Sequence, residues 1–305
     1  MPWDAQETFL GWADVRELLK EFVLNNAEAL KNVTSPALWG PQLEALAQAF
    51  CSRKLVNVTG EDGALLPRVH AGMTLAEAVG LGFLSVGSDE HTLTPRSRGR
   101  VGEAMRTVVH RLALFDRSEI TAMVSQTDIM THLFIHIDEL LEAAIADATV
   151  SCLGLVSPSR PRVVCVEPSM PAHAAFAQLF AANVSAAGVV DSDGVLVANL
   201  SISDMRRLEP SHFSVLALPV TQFLAHTAGL SDAALGVSPA GGVGLRPPVS
   251  ISPTTTFREL LRLLGGSRPR SHRVYVCEDL RPVGIITPTD VLRTLVRLDS
   301  DISEA

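Results

Sequence analysis

Three aspartates in the chain share one local setting that could do chemistry. In each case a short apolar run ends in Ser or Thr, two further residues follow, and then Asp opens a helical pattern. The three hydroxyl–acid pairs are Ser125–Asp128, Ser201–Asp204 and Thr287–Asp290. This spacing is the signature of a capping box, in which both side chains bond backbone amides at a helix start. The same end of a helix attracts anions. The pairs therefore predict capped helices, ligand sites, or both at once.

The pairs belong to an internal repeat. Their aspartates lie 204 − 128 = 76 and 290 − 204 = 86 residues apart, and the same order of elements precedes each one. A short apolar run comes first upstream, in HRLALFD, AAGVVD and HRVYVCED. Further upstream lies a helical pattern, in MTLAEAVGLGFL, MPAHAAFAQLFAAN and TTTFRELLRLLGG. Each copy is predicted to run strand, helix, strand, turn, strand, helix, with too few strands to bury a sheet alone.

The repeat predicts five segments. The first segment is an N-terminal helical region, which is a candidate degenerate copy because it lacks the hydroxyl–acid step. Copy one follows and contains a loop rich in Gly, Ser and Arg. Copy two, a linker and copy three come next. In order, these segments are 1–52, 53–140 with the loop at 85–100, 160–210, 211–248 and 249–299.

Composition limits the classes of protein that remain. Of 305 residues 47% are apolar and 19% charged, which is typical of packed globular domains rather than disorder. The net charge of −8 disfavours nucleic acid as a partner. No apolar window is long enough for a membrane span, and the N-terminus lacks the basic region of a signal peptide. We therefore expect a cytoplasmic or nuclear protein. Its four scattered cysteines are expected to be reduced and buried.

With these elements, the chain resembles the cystathionine-β-synthase (CBS) domain, which usually occurs in pairs called Bateman modules. Three clear copies and a degenerate first one resemble the gamma regulatory subunit of AMP-activated and sucrose-non-fermenting-type protein kinases. HRLALFD and HRVYVCED are similar to the His-Arg steps of that subunit, and SQTDIMTHL looks most like its plant and algal branch. The resemblance implies an α/β (α+β) fold of tandem CBS domains in two Bateman modules, the first copy degenerate.

The resemblance also implies a chemistry for the three pairs. The aspartates would lie in clefts and accept the ribose hydroxyls of AMP, ADP or ATP, while Ser125, Ser201 and Thr287 would offer a hydroxyl to phosphate. The alternative is that each acid only caps its helix.

Positive charge and a close backbone approach complete the implied site. The steps His110–Arg111 and His272–Arg273 would contact phosphates, one member of each pair facing the cleft because neighbours on a strand point to opposite faces. Gly284 would let the backbone approach adenine, whereas Ala122 and Ala198 hold the matching positions of copies one and two. The open alternative is that the four basic residues are surface charges.

The implied function is a non-catalytic regulatory subunit that modulates a kinase complex. Its partners would be catalytic (alpha-type) and scaffold (beta-type) kinase subunits, or a second copy of the chain, with no nucleic acid, membrane or metal. A structural scaffold with empty pockets, or with another ligand, remains the alternative. No motif of a hydrolase, P-loop protein or zinc protease occurs, which disfavours an enzyme. His132 and His136 share a helix face but lack a third metal ligand at a motif spacing.

Overall fold

The computed structural model divides the chain into two compact units. Unit 1 comprises residues 1–63, 162–248 and 279–282, and unit 2 comprises 64–161, 249–278 and 283–305. Unit 2 thus joins copy one to most of copy three, and unit 1 joins copy two to the N-terminal region. The predicted loop at 85–100 lies outside the described residues. The residues that the structure describes are 18–19, 21–23, 26, 36–53, 69–70, 72–84, 110–116, 119–157, 162–234, 247–266 and 271–303.

Ahead of the repeat, helix α1 spans Pro36–Cys51. Copy one then has the predicted order of elements and ends in three helices, of which the first follows its last strand directly. Its elements are β1 (Val69–His70), α2 (Leu75–Glu77, continued as a π-helix over Ala78–Leu84), β2 (Arg111–Asp116), β3 (Glu119–Ser125), α3 (Gln126–Ile135), α4 (Ile137–Leu140) and α5 (Ala143–Ala146).

Copy two repeats this order, but its last strand leads into a 3-10 helix instead of an α-helix. A second 3-10 helix and a long α-helix occupy the predicted linker. The elements are β4 (Cys165–Val166), α6 (Ala172–Ala181), β5 (Ala186–Val190), β6 (Leu196–Ser201), the 3-10 helices Ile202–Arg207 and Pro210–Ala217, and α7 (Val220–Ala234).

Copy three has the same order and ends in the long helix that carries Asp290. Its elements are β7 (Ser250–Ile251), α8 (Phe257–Leu261, continued as a π-helix over Arg262–Gly266), β8 (Val274–Glu278), β9 (Arg281–Ile286) and α9 (Pro288–Ser303). The predicted α/β fold class is therefore confirmed in all three copies.

The three sheets have one topology. Their strand orders are β1-β2-β3, β4-β5-β6 and β7-β8-β9, and the first strand of each pairs in parallel with the second. In copies one and two the second and third strands form an antiparallel hairpin with a bulge after the fourth residue of the second strand, at Leu114/Phe115 and Val189/Val190. A bulge at the same place in two copies supports their repeat relationship, because bulges are retained structural features.

Unit 1 has an aromatic and aliphatic core. Phe176 of α6 meets Phe223 of α7 edge to face, with ring centroids 5.5 Å apart. Phe22 meets Phe50 and Phe213 in the same way, at 5.6 and 5.1 Å. The contact of Phe22 with Phe213 packs the N-terminal region against the segment that follows copy two.

Unit 2 has its own core, in which helices of copies one and three pack together. Buried side chains of α3, among them Met130, contact those of α8 and α9. Gly265 makes the closest approach, because a Cβ atom there would lie only 2.3 Å from the carbonyl oxygen of Met130. The α3 backbone thus rests directly on this glycine.

The cysteines differ from expectation in their burial. All four are free, but Cys51 and Cys152 are exposed, which makes the prediction of burial wrong for them. Cys51 ends α1 and Cys152 lies in a turn, and both places face solvent. Cys165 and Cys277 are half-buried, and this burial raises the pKa of both thiols.

Among the described residues, no helix is long and apolar enough to cross a membrane.

We predict that Gly265→Ala destabilises unit 2 by about 1–3 kcal/mol or more, because the new methyl group would press on the rigid backbone of α3. Gly80→Ala is the control, since nothing lies within 4 Å of a Cβ there and alanine is a better helix former by about 1 kcal/mol. The urea concentration at the midpoint of unfolding should be much lower for Gly265→Ala than for Gly80→Ala. Equal midpoints would contradict the close contact of Gly265 with the α3 backbone.

Candidate functional site

In copy one the hydroxyl–acid pair forms a complete capping box. Ser125 ends β3 and caps α3, with an extended backbone (φ −102°, ψ 159°). Its amide and its hydroxyl both donate to Oδ2 of Asp128, at 2.9 and 2.7 Å, and the Asp128 amide donates back to Ser125 Oγ at 3.2 Å. The capping prediction is confirmed here.

In copy three the acid accepts the same two hydrogen bonds. The amide and hydroxyl of Thr287 donate to Oδ2 of Asp290 at 2.9 and 2.6 Å, while the Asp290 amide bonds the carbonyl of Thr287 at 3.0 Å. Pro288 follows as the first residue of α9, a position that needs no amide hydrogen.

Copy two also forms a capping box, in which the hydroxyl has an additional partner. The Ser201 amide donates to Oδ2 of Asp204 at 2.7 Å, but Ser201 Oγ lies 2.8 Å from Ser203 Oγ and accepts from the Ser203 amide. Ser201 is also only 2% exposed. In copy two the serine is therefore buried and the acid half-buried, and the acid lies on a 3-10 helix.

Capping uses the same carboxylate oxygen, Oδ2, in all three pairs. An ionised carboxylate has two oxygens and about four acceptor positions, so a cap is chemically compatible with a bound diol. The hydroxyls are more constrained. Ser125 and Thr287 donate their single hydroxyl hydrogen to their own acid, and would have to rotate before donating to a phosphate.

A cap of this form does not by itself mark a ligand site. Thr74 and Glu77 make the same three bonds at the start of α2, at 2.8, 2.9 and 3.2 Å. The bonds from the Thr74 amide and hydroxyl lower the pKa of Glu77, whose side chain is exposed. The ligand role of the three aspartates remains a prediction that needs further support from their surroundings.

One of the predicted basic residues lies beside the cap of copy one. Arg111 is directly opposite Ser125 in the antiparallel β2–β3 pair, so their Cα atoms are about 5 Å apart. The carbonyl oxygen of His110 accepts a bond from the Gln126 amide at 3.1 Å. The structure thus brings the His–Arg step to the start of α3.

The other two copies differ in this basic position. Ala186 stands opposite Ser201 in copy two, so no cation occupies that place. In copy three Arg273 precedes Thr287 by 287 − 273 = 14 residues, the same spacing as 125 − 111 = 14 in copy one. Arg273 is half-buried and His272 is exposed.

Gly284 lies in β9 against a side chain that sequence reasoning missed. A Cβ atom there would be 3.3 Å from both methyl groups of Val156 and 3.6 Å from Cβ of Val276. Val156 lies 128 residues upstream of Gly284 (284 − 156 = 128), so no local sequence pattern predicts this contact. The matching residues Ala198 and Ala122 are buried and exposed, respectively. Whether Gly284 also admits adenine stays a prediction.

The metal alternative gains no support from the part of the chain that the structure describes, where no cluster of three or more potential ligands occurs. The rings of His132 and His136 are close, with centroids 4.7 Å apart, and Nδ1 of His136 lies 3.1 Å from Oε2 of Glu139. A local ion pair accounts for that contact when His136 is protonated.

Comparison with protein families decides the domain type. The CBS-domain model matches residues 156–211 and 240–297. These two segments are CBS domains. The two matched segments include the pairs Ser201–Asp204 and Thr287–Asp290 and coincide with copies two and three. No curated protein sequence matches the chain.

Among the similar solved structures, the first shows the same fold. Protein MJ1225 from Methanocaldococcus jannaschii, for which homology to g-AMPK has been proposed, is 13% identical with a TM-score of 0.54; the match covers 94% of this chain and 84% of that one. CBSX2 from Arabidopsis thaliana is 23% identical over 50% of this chain and 97% of its own, with a TM-score of 0.34. A structure of CBSX2 in complex with AMP is 21% identical over 50% and 98%, with a TM-score of 0.34.

We predict that Ser125→Ala destabilises unit 2 by about 1 kcal/mol, because it removes the hydroxyl that caps α3 and bonds Asp128. Ser125→Thr keeps the hydroxyl and should retain most of the stability. Urea unfolding of both variants measures the difference. A Ser125→Ala protein as stable as wild type would show that the cap contributes little.

Proposed function

We propose that the protein is a non-catalytic regulatory protein that binds adenine nucleotides in its CBS domains. CBS domains commonly bind adenosine ligands, and CBS-domain proteins are generally regulatory. The observation that carries the proposal is that the capping carboxylate recurs at the same strand–helix junction in all three copies, two of which match the CBS-domain model.

The held carboxylates suit a ribose. The bonds to Oδ2 fix the orientation of the acid before any ligand arrives, so little rotamer entropy is lost when a diol binds. A carboxylate that accepts two hydroxyls makes charge-assisted bonds, which are stronger than neutral ones. Asp290 and Asp204 are half-buried, and partial shielding from water strengthens such bonds further.

Phosphate recognition is proposed for the helix starts of copies one and three. The helices α3 and α9 begin two residues before the acid, and the positive end of each helix dipole lies there, which favours an anion. Arg111 lies opposite the cap in copy one, and Arg273 has the matching spacing in copy three. Copy two, with Ala186 at this position, would need its phosphate charge balanced by residues from elsewhere.

The proposed consequence of binding is control of a protein kinase complex. This part rests on the sequence likeness of the His–Arg steps and SQTDIMTHL to the gamma subunit of such kinases. The partners would be the alpha-type catalytic and beta-type scaffold subunits, in the cytoplasm or nucleus. A nucleotide regulates such a complex only if it binds one conformation better than another, and then it shifts the population toward that state.

A structural scaffold is the second candidate, and a specific observation favours it. The cap at Thr74–Glu77 has the same geometry as the caps at the aspartates, and Val156 packs on Gly284 where adenine was expected. In this case the acids would only stabilise helices, and the copies would serve to assemble partners or a homodimer.

We predict that AMP stabilises the protein. At about 100 times its dissociation constant a ligand adds about 2.7 kcal/mol to the free energy of unfolding, which raises Tm by about 5 °C for a protein of this size. AMP, ADP and ATP should each be tested by thermal unfolding, and calorimetric titration should count the sites. Asp290→Ala should remove one calorimetric binding event and a large part of the Tm shift.

The matched control is Glu77→Ala, which removes a capping carboxylate of the same geometry outside the proposed sites. It should lower Tm without ligand but leave the shift with AMP unchanged. A protein whose Tm does not respond to any of the three nucleotides at millimolar concentration, yet still binds a kinase subunit, would be the scaffold.

A further inference from the structure

Two of the acid-bearing helices touch each other at their first turns. In unit 2 the hydroxyl of Thr289 donates to Oε1 of Gln126 at 3.0 Å. Gln126 is 4% exposed and Thr289 is 6% exposed, so the bond lies inside the protein. It joins residues that are 289 − 126 = 163 positions apart, one in copy one and one in copy three.

The bond stands immediately beside both proposed nucleotide sites of unit 2. Gln126 is the first residue of α3, next to the cap Ser125 and two residues before Asp128. Thr289 is the second residue of α9 and directly precedes Asp290. The two carboxylates therefore belong to helix turns that share one buried polar contact.

Further contacts hold the rest of α3 to copy three. The hydroxyl of Thr131, which bonds the Thr127 carbonyl at 2.9 Å, also lies 3.2 Å from the Gly265 carbonyl, and Gly265 itself lies against the backbone of α3 at Met130. Beyond α3, Arg258 of α8 bonds Asp138 at 2.7 Å and Asp147 at 3.0 Å. The contact at Gln126 is the one of these that lies at the start of α3 and joins it directly to the start of α9.

We infer that the Gln126–Thr289 bond couples the nucleotide sites at Asp128 and Asp290, so that AMP bound at one raises the affinity of the other. The inference rests on the proposed function. Separating a buried donor from its acceptor is unfavourable because neither meets water. A ligand that holds one helix start in place stabilises this bond, and with it the position of the other helix start. Thr289 is thus a positioning residue for both sites.

The inference is tested by calorimetric titration of the full-length protein with AMP. Asp128→Asn empties one site, and should lower the affinity at the Asp290 site by at least about fivefold, a typical lower value for coupled sites. The Asp290 site is recognised as the binding event that Asp290→Asn removes. In a Thr289→Val background, which lacks the donating hydroxyl, Asp128→Asn should change that affinity less than twofold.

Two further variants separate coupling from a general effect of mutation. Thr289→Ser keeps the hydroxyl and should retain the fivefold effect. Thr127→Val makes the same change one residue before Asp128, at the matching position of α3, and should also retain it. If Thr289→Val does not fold, Thr289→Ala takes its place, since it removes the same hydroxyl without branching at Cβ.

The outcomes distinguish this inference from the proposed function. If the wild-type protein gives no binding event with AMP, both ideas are overturned. If AMP binds but Asp290→Asn removes no binding event, the Asp290 site is absent and the inference alone is wrong. If AMP binds at both sites but Asp128→Asn leaves the Asp290 site unchanged in the wild-type background, the sites are independent and the inference alone is wrong. It is equally wrong if Thr289→Val preserves the fivefold effect. Loss of the effect in Thr289→Val, with retention in Thr289→Ser and Thr127→Val, supports it.

Discussion

The bond from a strand-ending amide to the acid three residues later is the interaction on which the repeat depends. It occurs at Ser125, Ser201 and Thr287, each time with Oδ2 of the aspartate as acceptor. Helix starts leave amides unpaired, so a chain that turns from strand to helix at this point needs an acceptor there. A carboxylate meets that need and at the same time stays at a fixed place in every copy. A ligand role could develop on such a position without disturbing the fold.

The copies have kept this junction while they diverged around it. Copy two has Ala186 opposite its cap, where copy one has Arg111, and its capping hydroxyl also contacts Ser203 on a 3-10 helix. Copy one retains Arg111 beside the junction and an exposed Asp128. These differences predict sites of unequal affinity for the same ligand, because the copies differ in nearby positive charge and in how far the acid is buried.

Close packing in unit 2 makes its two helix starts neighbours. Gly265 lets copy three approach the backbone of α3, and the buried Gln126–Thr289 bond then joins α3 to α9 at their first turns. A buried pair of polar groups tolerates little displacement. This geometry therefore provides a physical basis for coupling between the two proposed sites. The corresponding acid of copy two, Asp204, belongs to unit 1 and has no part in this bond.

The sequence by itself determined the order of elements, because local patterns set strands, helices and capping boxes through short-range bonds. The runs HRLALFD, AAGVVD and HRVYVCED became strands, and Ser125 and Thr287 became the residues before α3 and α9. Tertiary structure alone decided what surrounds these junctions. Val156 at Gly284 and Thr289 at Gln126 are partners 128 and 163 residues away in the chain (284 − 156, 289 − 126), and the exposure of Cys51 and Cys152 follows from where their elements end. Such contacts depend on how whole copies pack, and no periodicity within a copy encodes the identity of a residue in another.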